Sequence, residues 1–488
     1  MKGMNRREFQ QRMGRALAAA PLIVGASCGS QESTPQTKQP SPSTASSGSL
    51  KMTLGEADVR IPPEAPEGEK WRYGIGLPFQ LAPGKAALFC NIKGKRGQDF
   101  EAGSDLIVFD SIIGGVRETF PIVRNEVRDE PHTGKPADVV KYPTRGGFVP
   151  LGAKRPDGSP YPNAGTGFGL NQAIGWPLGG SRMTEDSSRF WYWDIQQYRY
   201  DGQVFNVESS EAVAVGDLLP EWIISDGGLT NAIPDGDDFL VGMTGAEGDA
   251  ETWNQAGRPA GAGVMRWQRK SERWVPVSFV RITDLDGSFE PSLIRDRDGS
   301  LLFCARAGSD ERGRRRLESR VWRSSDGGDS WEQALFVLGA VGGSPITLNQ
   351  AADGTPYIAA NLYEVLLHPI GERFRPQKDD RGIAYASPVG REKLCLWPLN
   401  QDRDGLETPI LVRDSVAEFG LAPSGDTWNI DHPSAMTVQL ADGDWHNVIA
   451  MRICDHAEVR EGVDPAPQTG CYLEEILSPG EAIPLWNL

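Results

Sequence analysis

Between two apolar-alternating runs the chain carries Ser324-Ser325-Asp326-Gly327-Gly328-Asp329-Ser330-Trp331. An aspartate side chain can accept from backbone N–H groups two residues on, and glycine supplies the positive φ of a tight reversal. Val321-Trp322-Arg323 precedes the turn and Ala334-Leu335-Phe336-Val337 follows it, so the stretch reads as a β-hairpin with an aromatic anchor at its turn. After residue 60 no stretch reads as a long amphipathic helix. Short β-rich runs instead alternate with Gly, Asp, Asn and Pro turns, and a larger unit recurs.

The units are carried by Ala86–Phe89 with Leu106–Phe109 and Phe120–Val123, by Phe190–Trp193 with Gln203–Phe205, and by Phe239–Gly242 with Val264–Trp267 and Trp274–Val277. Pro291 to the Asp326 turn, Thr355–Ile358 with Leu394–Trp397, and Met436–Val438 with Val448–Met451 continue the series. Three units share a front end: Glu290-Pro291-Ser292 before Asp298-Gly299, Ser344-Pro345 before Asp353-Gly354, and His432-Pro433-Ser434 before Asp442-Gly443. About six units of roughly four strands predict an all-β fold, a six-bladed β-propeller whose radial closure leaves few open edges. A two-sheet sandwich is the alternative. Residues 126–167, rich in Gly, Pro and charge, read as a surface insertion rather than a blade.

Composition bears on partners. The formal charge of −16 opposes nucleic acid as a partner. The 14 Trp suit sheet packing or stacking on sugars. Residues 1–28 read as an address: Asn5-Arg6-Arg7-Glu8-Phe9 resembles a twin-arginine export motif, and the apolar run from Ala16 to Ala26 is too short to span a membrane. Gly25-Ala26-Ser27 before Cys28 resembles a degenerate lipoprotein cleavage site; lipidation at Cys28 and ordinary cleavage nearby are the two readings. The chain is therefore expected to be exported, periplasmic or extracellular, touching membrane only through an anchor at Cys28. Residues 29–60 are expected to be a low-complexity linker and 61–488 the propeller. Loss of the leader's net +4 would take the charge from −16 to about −20. Cys90, Cys304, Cys395, Cys454 and Cys471 show no metal-ligand spacing and read as buried thiols. No phosphate-cradling glycine loop or nucleophile elbow occurs, so no cofactor and no metal is expected.

Inner strands of a propeller converge on its axis, which makes the polar residues that open those strands the site candidates: Glu290, Ser344, and the Asp431-His432 pair. The Ser-x-Asp-x-Gly-x-Ser-Trp pattern resembles the Asp-box of sialidase-like propellers. The stretch from Glu290-Pro291-Ser292 through Asp298-Gly299 to Leu301–Arg306 is similar to a sialidase segment. That resemblance implies Glu290 as the residue that polarises the nucleophile and Arg306 as one of three arginines binding a substrate carboxylate. Gly390-Arg391-Glu392 resembles the place of a second arginine; Arg60 and Arg72 compete for the opening one. The planar guanidinium fork suits such a carboxylate. An ion pair across one blade is the alternative reading of Glu290 and Arg306.

The sixth unit departs from the pattern. Asp431-His432-Pro433-Ser434 stands where the resemblance implies a tyrosine nucleophile, and Met451-Arg452 where it implies a glutamate. Asp110 and Asp201 are candidates for the general acid. Asp431 and His432 join Glu290 as catalytic candidates, with Arg306, Arg391 and Arg452 as substrate-binding ones. His446 and His456 read as turn and loop residues. The expected function is a sialidase-like glycoside hydrolase acting on acidic oligo- or polysaccharides. Two alternatives remain: a polysaccharide lyase using His and Arg on uronic-acid glycans, and a glycan-binding propeller without turnover.

Overall fold

A computed structural model describes residues 52–61, 63–94, 103–114, 118–124, 126–129, 136–141, 145–177, 190–248, 261–284, 287–306, 318–338, 345–361, 376–378, 384–386, 391–425, 427–459 and 463–488. The leader, Cys28, most of the linker and Ser344 lie outside them.

The strands form six antiparallel sheets arranged as a six-bladed propeller. A first strand, β1 (Thr53–Val59), precedes blade 1, which is β2 (Arg72–Ala82), β3 (Lys85–Lys93), β4 (Gly103–Phe109) and β5 (Glu118–Arg124). Blade 2 holds β6 (Glu126–Asp129), β7 (Pro136–Lys141), β8 (Arg145–Val149), β9 (Thr166–Pro177), β10 (Phe190–Tyr200) and β11 (Phe205–Ala214). Blade 3 is β12 (Trp222–Gly227), β13 (Ile233–Asp235), β14 (Asp238–Glu247), β15 (Gly261–Lys270) and β16 (Arg273–Arg281). Blade 4 is β17 (Phe289–Arg295), β18 (Leu301–Arg306), β19 (Glu318–Ser324) and β20 (Glu332–Leu338). Blade 5 is β21 (Thr347–Gln350), β22 (Pro356–Asn361), β25 (Lys393–Pro398) and β26 (Ile410–Asp414), with the hairpin β23 (Pro376–Lys378) and β24 (Ala384–Ala386) between them in sequence. Blade 6 is β27 (Trp428–Gln439), β28 (Trp445–Asp455) and β29 (Gly470–Leu477).

Blade 6 takes its fourth strand from the N-terminal side of the chain: β1 pairs antiparallel with β29, Val59 opposite Tyr472. The linker expected to reach residue 60 therefore gives way to sheet at Thr53. As an edge strand, β1 is mostly exposed and lacks the apolar alternation that would have marked it in the sequence. His446 of β28 helps hold this closure. Its Nδ1 meets Glu475 Oε1 at 2.6 Å and its Nε2 meets Asp442 Oδ2 at 3.0 Å, while Glu475 Oε2 accepts the Glu56 N–H of β1 at 3.2 Å. Burial alone would lower the imidazole pKa, but the hydrogen bonds to Glu475 and Asp442 outweigh it and the net shift is upward. A raised folded pKa means the contribution is complete below the unfolded value and is lost as pH rises through the folded one. Thermal unfolding from about pH 6 to about pH 9 should therefore show wild type losing Tm relative to His446→Gln as pH rises; parallel curves would contradict this role.

Blade 2 corrects a second expectation. Its innermost strand, β8, lies inside the segment read as an insertion. β8 pairs with the first half of β9 and β7 with the second half, so the β6–β7 hairpin carries the sheet past the end where β8 begins. Gly146-Gly147 hid this strand because glycines read as loop. Here they permit close approach: a Cβ on Gly146 would sit 1.9 Å from Phe168 O.

The Asp326 turn forms as its residues dictate. Ser330 N donates to Asp326 Oδ1 at 3.0 Å, Ser324 Oγ bonds the same oxygen at 2.7 Å, and Trp331 Nε1 donates to Gly328 O at 3.0 Å. The Ser330 and Ser324 contacts hold the Asp326 carboxyl well below the usual carboxylate range. The turn lies at the end of blade 4 away from Glu290 and Arg306. All five described cysteines are unpaired and buried, Cys304 and Cys395 among them.

That far face is crossed by residues 478–488. Asp353 N bonds Ser478 Oγ at 3.0 Å, Ile483 N donates to Ala352 O at 2.7 Å, and Lys154 N donates to Asn487 O at 2.7 Å. Trp486 packs edge-on against Tyr161 and Phe239 at 5.5 and 6.0 Å. Ile483 and Leu485 line an axial cavity together with Thr230 and inner-strand residues such as Leu293, Leu348 and Met436. Truncating Trp486 to alanine should cost about 2 kcal/mol in denaturant unfolding, less than for an enclosed tryptophan because the strap can settle into the gap.

Candidate active site

The inner strands begin at one face, and there four of them break register with their neighbours. The breaks fall between Tyr73 and Gly76, Ile224 and Asp226, Phe289 and Ser292, and Asp431 and Ser434. In blades 4 and 6 the looped-out pair is Glu290-Pro291 and His432-Pro433. Proline has no N–H to leave unpaired there, which is why it is tolerated at a bulge. Glu290 and His432 have φ of 51° and 50°, left-handed values that are uncommon outside glycine. Strain of this kind is held only where surrounding contacts over-determine it.

Those contacts join Glu290, Asp431 and His432 with Arg306, Arg391 and Arg452. Arg306, opposite Phe289 at the end of β18, donates from Nη1 to Glu290 Oε2 at 2.7 Å, and its guanidinium lies 4.8 Å from the centre of the Phe289 ring. Arg452, opposite Asp431 on β28, grips that carboxylate with Nε at 2.8 Å from Oδ1 and Nη2 at 3.0 Å from Oδ2. Arg391 Nη1 donates to Asp431 Oδ2 at 2.7 Å. Its backbone is located by Asn361, whose side-chain amide donates to Arg391 O at 3.2 Å and to Ile430 O at 2.8 Å, and by the 2.7 Å bond from Ile430 N to Arg391 O. Blade 5 is thereby pinned to the inner strand of blade 6.

Asp431 is fully buried. Burial would raise its pKa, but Arg452, His432 and Arg391 together hold it well below the usual carboxylate range. An ionised carboxylate only accepts hydrogen bonds, so His432 Nδ1, 2.9 Å from Asp431 Oδ1, carries the proton. Nε2 faces Glu290 Oε1 at 3.9 Å and is the acceptor nitrogen in the neutral ring. A histidine fixed by a buried aspartate at one nitrogen can take up a proton at the other.

Sequence reasoning missed two neighbours. Asp226, on β12, is partly buried and accepts from Gly227 N at 2.8 Å. Burial first and the Glu290 charge after it raise its carboxyl, Arg145, Arg306 and the Gly227 N–H lower it, and the net is a rise to about 6. Arg145, the first residue of β8, lies along Gly227 and donates from Nε to Gly228 O. The register break beside Asp226 is set by its pairing with β14 and leaves no mark in the sequence.

Other candidates lie elsewhere. Asp110 is at the far end of blade 1, where its carbonyl accepts from Ala441 N at 3.0 Å, and Asp201 caps its own exposed turn through Gln203 N and Val204 N at 2.9 and 2.8 Å. Neither joins Glu290 as a general acid would. Arg60 is buried, bonded to the carbonyls of Ile112 and Gly114, and Arg72 Nη1 bonds Trp71 O at 2.8 Å. His456 is exposed, 3.3 Å from Asn429 Nδ2. Among the described residues no cluster of His, Cys, Asp and Glu could hold a metal ion.

No family model matches the sequence, and no curated protein matches it. Among solved structures, the chain is similar to a Dyadobacter fermentans protein of unknown function, at 12% identity and a TM-score of 0.49 over 88% of this chain and 99% of that one. It is similar to the Trypanosoma rangeli sialidase in complex with sialic acid, at 13% identity and a TM-score of 0.45 over 86% of this chain and 59% of that one. A Penicillium chrysogenum α-L-arabinanase complexed with arabinobiose gives 9% identity and a TM-score of 0.46 over 87% and 98%.

Proposed function

We propose that this propeller is an exported glycoside hydrolase that cleaves acidic glycans at the mouth formed around Glu290 and His432. The observation that carries the reading is the facing pair itself: a carboxylate oxygen and an imidazole nitrogen 3.9 Å apart, the first held by the Arg306 guanidinium and the second by the buried Asp431 carboxylate. His432 Nε2 takes a proton from the attacking water. Glu290, held by Arg306, orients that water and offsets positive charge as it develops at the anomeric carbon. Asp431 fixes the tautomer of His432 and does not attack, because its acceptor sites are occupied by Arg452, Arg391 and His432. Arg391 is the most exposed of the three arginines, 21% of its side chain against 5% for Arg306 and 4% for Arg452, and we assign it to the substrate carboxylate. The leader motif supports export, with Cys28 as the anchor point.

Incubation with a panel of sialylated and uronic-acid oligosaccharides tests the reading. Free sugar without new ultraviolet absorbance supports hydrolysis. New absorbance would mean an unsaturated uronate and lyase chemistry, for which His432 would serve as the base. Binding without product would make the propeller a glycan-binding module.

A further inference from the structure

The geometry points to Asp226 as the proton donor to the leaving-group oxygen, an assignment that rests on the hydrolase reading above. Asp226 flanks the register break of β12, paired opposite Thr244 with Ser225 left out of the ladder, and Glu290 and His432 loop out at the corresponding breaks in blades 4 and 6. Just after β12 the chain of blade 3 meets β17, where Leu229 N donates to Pro291 O at 2.9 Å. Asp226 is three residues before Leu229 and Glu290 one before Pro291, and the two carboxyls are near enough for the Glu290 charge to act on Asp226.

The environment suits a donor. The carboxyl is partly buried, and the charged groups facing it are Glu290 of β17, Arg306 of β18 and Arg145 of β8. Burial leads in favouring the neutral acid, and the neighbouring Glu290 carboxylate adds to it. Asp431 offers the contrast within one site: surrounded by Arg452, His432 and Arg391, it stays ionised. Two aspartates whose surroundings push their ionisation apart are the arrangement expected of an acid and a fixed anion.

The step balances with water as the only co-reactant. The Asp226 proton passes to the glycosidic oxygen as that oxygen's bond to the anomeric carbon breaks, and the bonding pair stays on the oxygen. Water adds to the anomeric carbon and gives its proton to His432 Nε2. Solvent exchange then returns a proton to Asp226 and removes one from His432.

The test uses the mature chain, with Asp226→Asn and Asp226→Glu beside wild type. kcat/KM is followed against pH on the panel glycan that releases sugar and on the 4-nitrophenyl glycoside of the same sugar. Wild type should lose activity on the glycan as pH rises through about 6, because the acid must be protonated. Asp226→Asn should fall by roughly 10²–10⁴-fold on the glycan and lose that limb, yet fall less than about tenfold on the nitrophenyl glycoside, whose leaving group needs no proton. Asp226→Glu should restore the limb. A less than tenfold loss on the glycan, an unchanged limb in the Asn variant, or equal losses on both substrates would overturn the assignment. If wild type releases no sugar from any glycan, the hydrolase reading fails and this one with it; if wild type turns over and Asp226→Asn matches it, this one fails alone.

Discussion

Replacing Asp431 with alanine should destabilise the propeller by about 3–5 kcal/mol, measured by denaturant unfolding, because it strands buried guanidinium charge. Arg452 is almost wholly buried and grips Asp431 through both Nε and Nη2. Arg391 and His432 lose the same partner. Once the carboxylate is gone, two cations confront one another across the start of blade 6. The loss should be partly relieved in the double variant Asp431→Ala with Arg452→Met, since removing the stranded charge removes much of the penalty. The wild-type pair also gives an acid limb. Asp431 has a depressed folded pKa, so its contribution is present above the unfolded value of 3.8 and is lost as pH falls through the folded one. A loss under about 1 kcal/mol in the alanine variant would show that the cluster is not organised around this carboxylate.

The second large effect is on turnover. Glu290→Gln should lower kcat by roughly 10²–10⁴-fold while leaving glycan affinity within about tenfold of wild type. The amide keeps an oxygen for Arg306 Nη1 but has no negative charge to offer the reacting carbon. Its positive φ is unchanged by the substitution, so the bulge should persist, which unaltered near-ultraviolet circular dichroism would confirm. Equal turnover in wild type and variant would reduce Glu290 and Arg306 to the ion pair across one blade that is the plainer reading of their spacing.

The residues that were legible in the sequence share one grammar. Glu290-Pro291-Ser292 and His432-Pro433-Ser434 each stand before an Asp-Gly turn, and that repeated front end locates both at the start of an inner strand. Arg306 and Arg452 follow because the return strand after such a turn brings its end back beside the start, Phe289 opposite Arg306 and Asp431 opposite Arg452. Asp226 and Arg145 escaped because glycines follow each of them, and Asp226-Gly227-Gly228 and Arg145-Gly146-Gly147 read as turns. In the fold those glycines serve close packing, Gly146 within blade 2 and Gly147, Gly227 and Gly228 between blades: a Cβ on Gly228 would lie 2.5 Å from Pro291 O. β1 escaped for a different reason. Its place is set by pairing with Tyr472 to Leu477, over 400 residues on, and no local pattern encodes such a partner.

Proton NMR of the reaction mixture, recorded as the mature chain acts on a sialylated and a uronic-acid oligosaccharide, tests the central claim most directly. The account predicts growing signals of a free sugar with wild type, the C3 methylene protons of a released sialic acid or the anomeric proton of a released uronic acid, and none with Glu290→Gln or His432→Gln. A vinylic signal from an unsaturated uronate, no new signal with the folded wild type, or undiminished release by both variants would contradict it.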